Sequence, residues 1–336
     1  MLDIPTLQAW RGACRTAEFA AVKWLEGRYH ALLRRYVLDP NGFRSLLRVT
    51  GSVLSGSSVL NLLDRERSHM WTPTDLDIYT ATDSTYRVAW YLIHVEGYMF
   101  KRSVESSYNG AFAGFRQVVH LTKGEAHIDI IQSVTISALH PIGYFWGTHV
   151  MNYISADFFC IAYPKTTLEG RGLLNPVALV DRQYPGKRTL AVLKKYAERG
   201  YEFRVRPYAW DASVDTECDQ SEGCPRTIRR FGDRYCLMGS FHMADSPSLL
   251  PHGLPVAGHV VRWWRGGPAC GGVCVAPEDA VILDMRDFPT VRTLQPPRTM
   301  RRYVIVVRLE ILAADIRIFL TQEVIMMSKG LAVEVM

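Results

Sequence analysis

The sequence predicts an α/β protein: a mixed sheet with flanking helices, followed by a helical stretch and a Cys-rich C-terminal region. Three observations predict it. Apolar residues recur at three- and four-residue spacing from 7 to about 37. Short apolar runs with strand character then alternate with helical patterns between 43 and 135. Gly, Pro, Cys and Trp crowd residues 201–280, where periodicity is poor.

Taken in order, the first element reads as one helix over 7–37, with Trp10, Cys14, Ala17, Ala21, Trp24, Leu25, Leu32 and Tyr36 on its apolar side. Asp39-Pro40-Asn41-Gly42 reads as the turn that stops it. Ser57–Leu63 is a short helix after a Gly/Ser turn, and Leu76–Tyr79 a strand. Asp83–His94 is a helix with Asp83 or Ser84 as its N-cap. Phe112–Leu121 and His127–Ile131 are strands, joined as a hairpin through Thr122-Lys123-Gly124-Glu125. Residues 136–200 are expected to be mostly helix, clearest at Leu190–Tyr196, begun by Thr189 and stopped at Arg199-Gly200. A strand-like run, Tyr303–Val307, lies in the tail. The expected division is a helical segment (1–42), a compact α/β core (43–135), a helical region (136–200), a Cys/Gly/Trp-rich region (201–280) and a tail of unknown order (281–336).

The chain has 336 residues, 48% hydrophobic and 21% charged, which excludes a largely disordered chain, a collagen-like fibre and a coiled coil. Lys+Arg number 39 and Asp+Glu 33, a net charge of +6 that by itself gives nucleic acid only weak support as a partner. No apolar stretch reaches the roughly 18 residues of a membrane span. Asp3, Arg11 and Arg15 occupy the place of a secretory apolar run. The expectation is an intracellular protein, cytoplasmic or nuclear, with no membrane partner. Seven cysteines, an odd number unevenly spread, do not form a secreted disulfide framework.

Most of the functional signal is acidic. Thr74-Asp75-Leu76-Asp77-Ile78-Tyr79 places two carboxylates at i and i+2, on one face of a strand. Side by side they repel unless a cation lies between them. Mg²⁺ or Mn²⁺, taking oxygen ligands, suits that arrangement. His127-Ile128-Asp129-Ile130-Ile131 sets a lone acid inside an apolar strand, where it is costly without a partner. If the two strands are neighbours, Asp75, Asp77 and Asp129 form one cluster able to hold two metal ions for in-line phosphoryl transfer. Upstream, Ser55-Gly56-Ser57-Ser58 opens an apolar helix, and such a turn offers backbone amides to an anion.

A Gly-Ser turn, an acid–apolar–acid strand and a later single acid, in that order, resemble the nucleotidyltransferase superfamily of the DNA polymerase β type. The resemblance covers about residues 45–135. It implies a nucleotidyltransferase-type mixed sheet, an NTP as substrate, two Mg²⁺ (or Mn²⁺) ions held by Asp75, Asp77 and Asp129, and Gly56 and Ser57 on the triphosphate. Transfer of a nucleoside monophosphate to an unknown acceptor follows from it. The segments Ser55-Gly56-Ser57, Trp71–Asp77, Val150–Ser155 and Tyr163–Thr167 also resemble uncharacterised fungal nucleotidyltransferase-like proteins. Residues after the core often bind nucleotide in this superfamily, so Lys194 and Lys195, in the basic stretch Arg182–Arg206, are further candidates. The alternative class is a catalytically inactive binding or scaffold protein on the same fold. One departure from the family pattern is the seventeen-residue gap from Ser58 to Thr74, with the charged run Asp64–His69 inside it.

Other signatures fail. Gly51 to Gly56 has P-loop spacing, but Ser57-Ser58 follow where Lys-Ser or Lys-Thr is required. No G-x-S-x-G or H-E-x-x-H occurs. Cys218, Cys224, Cys236, Cys270 and Cys274, with His242, leave a structural Zn²⁺ site open, although such cysteines are more often small core residues. Trp263-Trp264-Arg265 reads as packing rather than a stacking site.

Overall fold

The computed structural model describes residues 3–105, 114–175, 187–205, 210, 222–224, 227–243 and 261–265, and three short strands beyond them. Cys218, Cys270 and Cys274 lie outside the described residues.

The N-terminal stretch folds as two helices, α1 (Ile4–Arg11) and α2 (Arg15–Leu33), not one. Gly12, a weak helix former, ends α1, and Cys14 is fully extended ahead of α2. The break lets Ile4 and Leu7 reach the core that also takes Ala21, Leu25, Tyr29 and Leu33. Asp39-Pro40 does not stop a helix; it starts one. The Asp39 carboxylate accepts from Asn41 N at 3.0 Å, and Pro40 sits where no amide is needed, so α3 runs Pro40–Thr50.

Eight strands form the main sheet: β1 (Val53–Ser55), β2 (Asp75–Thr80), β3 (Met99–Glu105), β4 (Phe115–Lys123), β5 (Ala126–Ser133), β6 (Asn152–Ile154), β7 (Phe158–Ile161) and β11 (Leu237–Ser240). Their spatial order is β11-β7-β6-β1-β2-β5-β4-β3. β2 and β5 are parallel and every other neighbouring pair is antiparallel. Helices α4 (Gly56–Leu63) and α5 (Thr85–His94) fall where the sequence places them, with Ser84 preceding α5. The β4–β5 hairpin turns at Gly124, whose φ is +54°.

The described residues of 136–200 are not mostly helix. They hold two 3₁₀ turns (His140–Tyr144, Thr148–Val150), β6, β7, a short α6 (Pro164–Leu168) and β8 (Arg171–Leu173) before α7 (Lys187–Glu198). Asn152-Tyr153-Ile154 and Phe158-Phe159-Cys160-Ile161 are apolar runs too short for periodicity to separate helix from strand. One sheet therefore crosses the expected boundaries at 135 and 200. β3 lacks an alternating apolar pattern, and every one of its residues is exposed, Met99, Phe100 and Val104 included.

β8 pairs in parallel with β9 (Glu202–Arg204). β10 (Arg229–Arg230), β12 (Val261–Trp263) and β13 (Ile282–Asp284) form a second, antiparallel sheet. β14 (Val304–Val306), within the expected run Tyr303–Val307, pairs with β15 (Glu323–Ile325). Trp263 is buried and donates its indole N–H to Tyr163 Oη at 2.9 Å, the packing role expected of it. No helix among the described residues is long and apolar enough to cross a membrane.

In β2, Leu76 and Ile78 are fully buried, and so are Ile128 and Ile130 in β5. Burying such side chains contributes about 1.5–3 kcal/mol each. Strand alternation then forces the intervening acids to the opposite face.

Candidate metal centre

Parallel pairing of β2 with β5 sets Asp77 directly beside Asp129 and Asp75 beside His127. One carboxylate oxygen from each of Asp75, Asp77 and Asp129 lies within 4.8 Å of the others, and all three residues are half-buried. Burial first, and then the neighbouring charges of Asp75 and Asp129, push the Asp77 carboxyl well above the usual carboxylate range; Lys195 opposes this. A half-buried, oxygen-only donor set with mutual repulsion fits a hard divalent cation. Among the described residues this is the one group of side chains able to hold a metal ion.

The Gly/Ser turn shares the pocket. Gly56 opens α4 with φ +72°, and a Cβ there would overlap Asp77 Oδ2. Only glycine leaves that space to the carboxylate. Ser57 Oγ donates to Asp75 Oδ1 at 3.4 Å, and Ser58 Oγ to the Asp75 carbonyl at 2.5 Å. Tyr36 Oη also donates to that carbonyl, at 3.1 Å. The first acid is thus held by α4 below it and by the segment following α2.

The long gap before Asp75 is structured rather than loose. Asp64 is buried; Arg67 Nη1 donates to both its oxygens at 3.0 Å, and Tyr201 Oη donates to Oδ2. Asn61 Nδ2 donates to the carbonyls of Ser68 and Trp71, each at 3.0 Å. The charged run therefore folds back on α4, with the Trp71 carbonyl tied to Asn61 and its ring under Arg199.

α7 supplies cations. The charge of Lys195, itself exposed, is felt by Asp77; Lys194 is 63% exposed and 3.9 Å from Glu198. Arg199, four residues after Lys195, is buried, with its guanidinium 3.9 Å over the Trp71 ring and 4.9 Å over Tyr196. Its Nη1 has no hydrogen-bond partner, and Asp75 is among the charges acting on it. Desolvation lowers its pKa. The sequence reading took Arg199 as a helix stop and as one cation of the basic stretch Arg182–Arg206; its stacking on Trp71 shows only in the fold.

His120 was also missed. It faces Asp129 across β4–β5, with Nδ1 2.7 Å from Asp129 Oδ1, so the imidazole N–H donates to the third acid. Alternation across a hairpin carries that signal, but only once the register is known. Of the candidate zinc ligands, Cys224 is buried, Cys236 is partly exposed, and His242 pairs with Asp157 at 2.7 Å instead.

Set against known protein families, curated proteins and solved structures, the chain matches none.

Proposed function

We propose that the chain is a divalent-cation-dependent nucleotidyltransferase, moving a nucleoside monophosphate from an NTP to an acceptor hydroxyl or phosphate and releasing pyrophosphate. One observation carries the reading: three carboxylates from two parallel neighbouring strands converge within 4.8 Å beside a glycine turn that opens a helix. Asp75, Asp77 and Asp129 would hold Mg²⁺ or Mn²⁺. Bound there, the ions supply charge neutralisation for phosphoryl transfer.

The chain's own groups do the rest. The amides at Gly56 and Ser57 bind the β and γ phosphates at the start of α4. Lys195 and Arg199 sit on the same side as the acids and bring positive charge to a polyphosphate. The rate gain comes from positioning and electrostatics, with no covalent enzyme intermediate.

Thermal unfolding with Mn²⁺ or Mg²⁺ and each of the four NTPs tests this, beside Asp75→Asn. A metal-dependent rise in midpoint with at least one NTP, absent in the variant, supports the reading. No shift with any NTP moves the assignment to a non-catalytic binding module on the same fold.

A further inference from the structure

We propose that Cys160 and Cys236 are a peroxide-responsive dithiol that closes to a disulfide between β7 and the turn leading into β11. The pair lies away from the acidic cluster, and the inference stands independently of the function proposed above.

β7 and β11 pair antiparallel at one end of the main sheet, with Met238 opposite Cys160. Cys236 comes two residues before Met238, and strand alternation puts it on the face that carries Cys160. Each thiol acts on the other's titration, and both are free. Cys160 is fully buried, while Cys236 is partly exposed. Arg229 Nη2 donates to Cys236 Sγ at 3.7 Å, and the Cys236 thiol donates to the Arg230 carbonyl at 3.5 Å. Arg229 is buried, and its guanidinium is also paired with Asp233 at 2.7 Å. A small core cysteine explains Cys160; it does not explain a partly exposed Cys236 whose Sγ is bonded to a buried guanidinium.

The surroundings divide the roles. The neighbouring Cys160 thiol holds the Cys236 thiol below its ordinary pKa despite burial and the nearby Asp233, and the Arg229 charge acts in the same direction. Its partner effect and burial raise Cys160. The Cys236 thiolate attacks one oxygen of hydrogen peroxide, breaking the O–O bond; hydroxide leaves and takes up a proton, and a sulfenic acid remains. The Cys160 sulfur then attacks that sulfur, the S–O bond breaks, and the thiol proton departs with the hydroxyl as water. Two thiols lose two hydrogens, and one peroxide becomes two waters. The sulfurs must close to about 2.05 Å. Cys236 lies in a bend rather than in a paired strand, four residues after Gly232 at φ +80°, so the backbone on its side can follow.

Full-length protein treated with hydrogen peroxide, alkylated, digested and read by mass spectrometry decides the matter. The expected product is a 160–236 linked peptide, two hydrogens lighter than the reduced pair and abolished by dithiothreitol. Cys236 should react roughly tenfold faster than the exposed Cys14. In Cys160→Ser, Cys236 should run on to sulfinic acid; in Cys236→Ser, Cys160 should stay reduced. A wild-type digest in which Cys236 over-oxidises without the link, pairs with another cysteine, or stays reduced overturns the proposal, whether or not either variant folds.

Discussion

Gly56 and Asp77 occupy one another's space: the Asp77 carboxylate fills the position that a Cβ on residue 56 would need, and Asp77 Cγ is 3.0 Å from that point. The left-handed backbone at Gly56 adds a second demand for glycine. Gly56→Ala should therefore displace Asp77, with about 1–2 kcal/mol of backbone strain on top. A Mn²⁺ titration of the variant should show at least tenfold weaker binding than wild type, alongside a lowered unfolding midpoint.

Removing a carboxylate from the cluster should have opposite effects with and without cation. In chelator, Asp77→Asn relieves a desolvated, repelled group, so the unfolding midpoint should rise or hold. In millimolar Mn²⁺ the variant should gain nothing, while wild type rises. Equal responses of the two proteins to Mn²⁺ would place the ion elsewhere.

His120 orients Asp129 without belonging to the donor set, through the 2.7 Å contact. His120→Ala should weaken Mn²⁺ binding by about 10–100-fold. The metal-free midpoint should move little, because the pair is only partly buried. His120→Gln, which keeps an N–H donor, should recover part of the affinity. A loss confined to stability would remove the positioning role.

His149 predicts an acid-sensitive fold. It is fully buried, both ring nitrogens lack partners, and Trp146, Tyr196, Tyr201 and Phe203 surround it with centroids at 4.8, 4.8, 5.1 and 4.9 Å. Desolvation, and then the Arg199 charge, lower its pKa to about 3. The unfolded chain takes up the proton near pH 6.5 while the folded chain does not, so stability falls as pH drops through the window from 6.5 to about 3. The loss at pH 5 relative to neutral should be about 2 kcal/mol. Asp157, held low despite its burial by His242 and Arg48, adds its own loss as pH falls toward its depressed pKa. Urea unfolding of wild type and His149→Gln across pH 5–7.5 isolates the imidazole: the difference between them should carry the slope.

Tyr201 Oη completes the partners of Asp64 from 137 residues away and ties β9 to the loop before β2. Tyr201→Phe removes the donor and nothing else. It should cost about 1–3 kcal/mol in denaturant unfolding. Asp64→Asn should cost more, because Arg67 then loses its charged partner as well.

The acids were legible because their signal is local: two carboxylates alternate with Leu76 and Ile78, and a third interrupts an apolar strand at Asp129. Gly56 and Ser57 were legible as a helix opening. His120, Trp71 and Arg199 were not, because each joins the site through tertiary contacts that no periodicity reports. The helix expected across 136–200 failed where three- and four-residue strands take their conformation from sheet neighbours. Asp39-Pro40 was misread because the same dipeptide chemistry both closes turns and caps helices. Lys194 and Lys195 are adjacent in sequence and both exposed, yet of the two only Lys195 is among the charges acting on Asp77.

β2 and β5 stand inside the eight-stranded sheet, with four strands beyond β2 and two beyond β5. Amides there open only when most of the molecule opens, so hydrogen exchange at Leu76, Ile78, Ile128 and Ile130 should track global unfolding, while β3 exchanges earlier. A donor set mounted on the slowest-exchanging strands is already rigid before any cation arrives. Little conformational entropy remains to be lost on binding, and selectivity among cations is then set by the fixed spacing of the oxygens rather than by a loop that adapts to each ion.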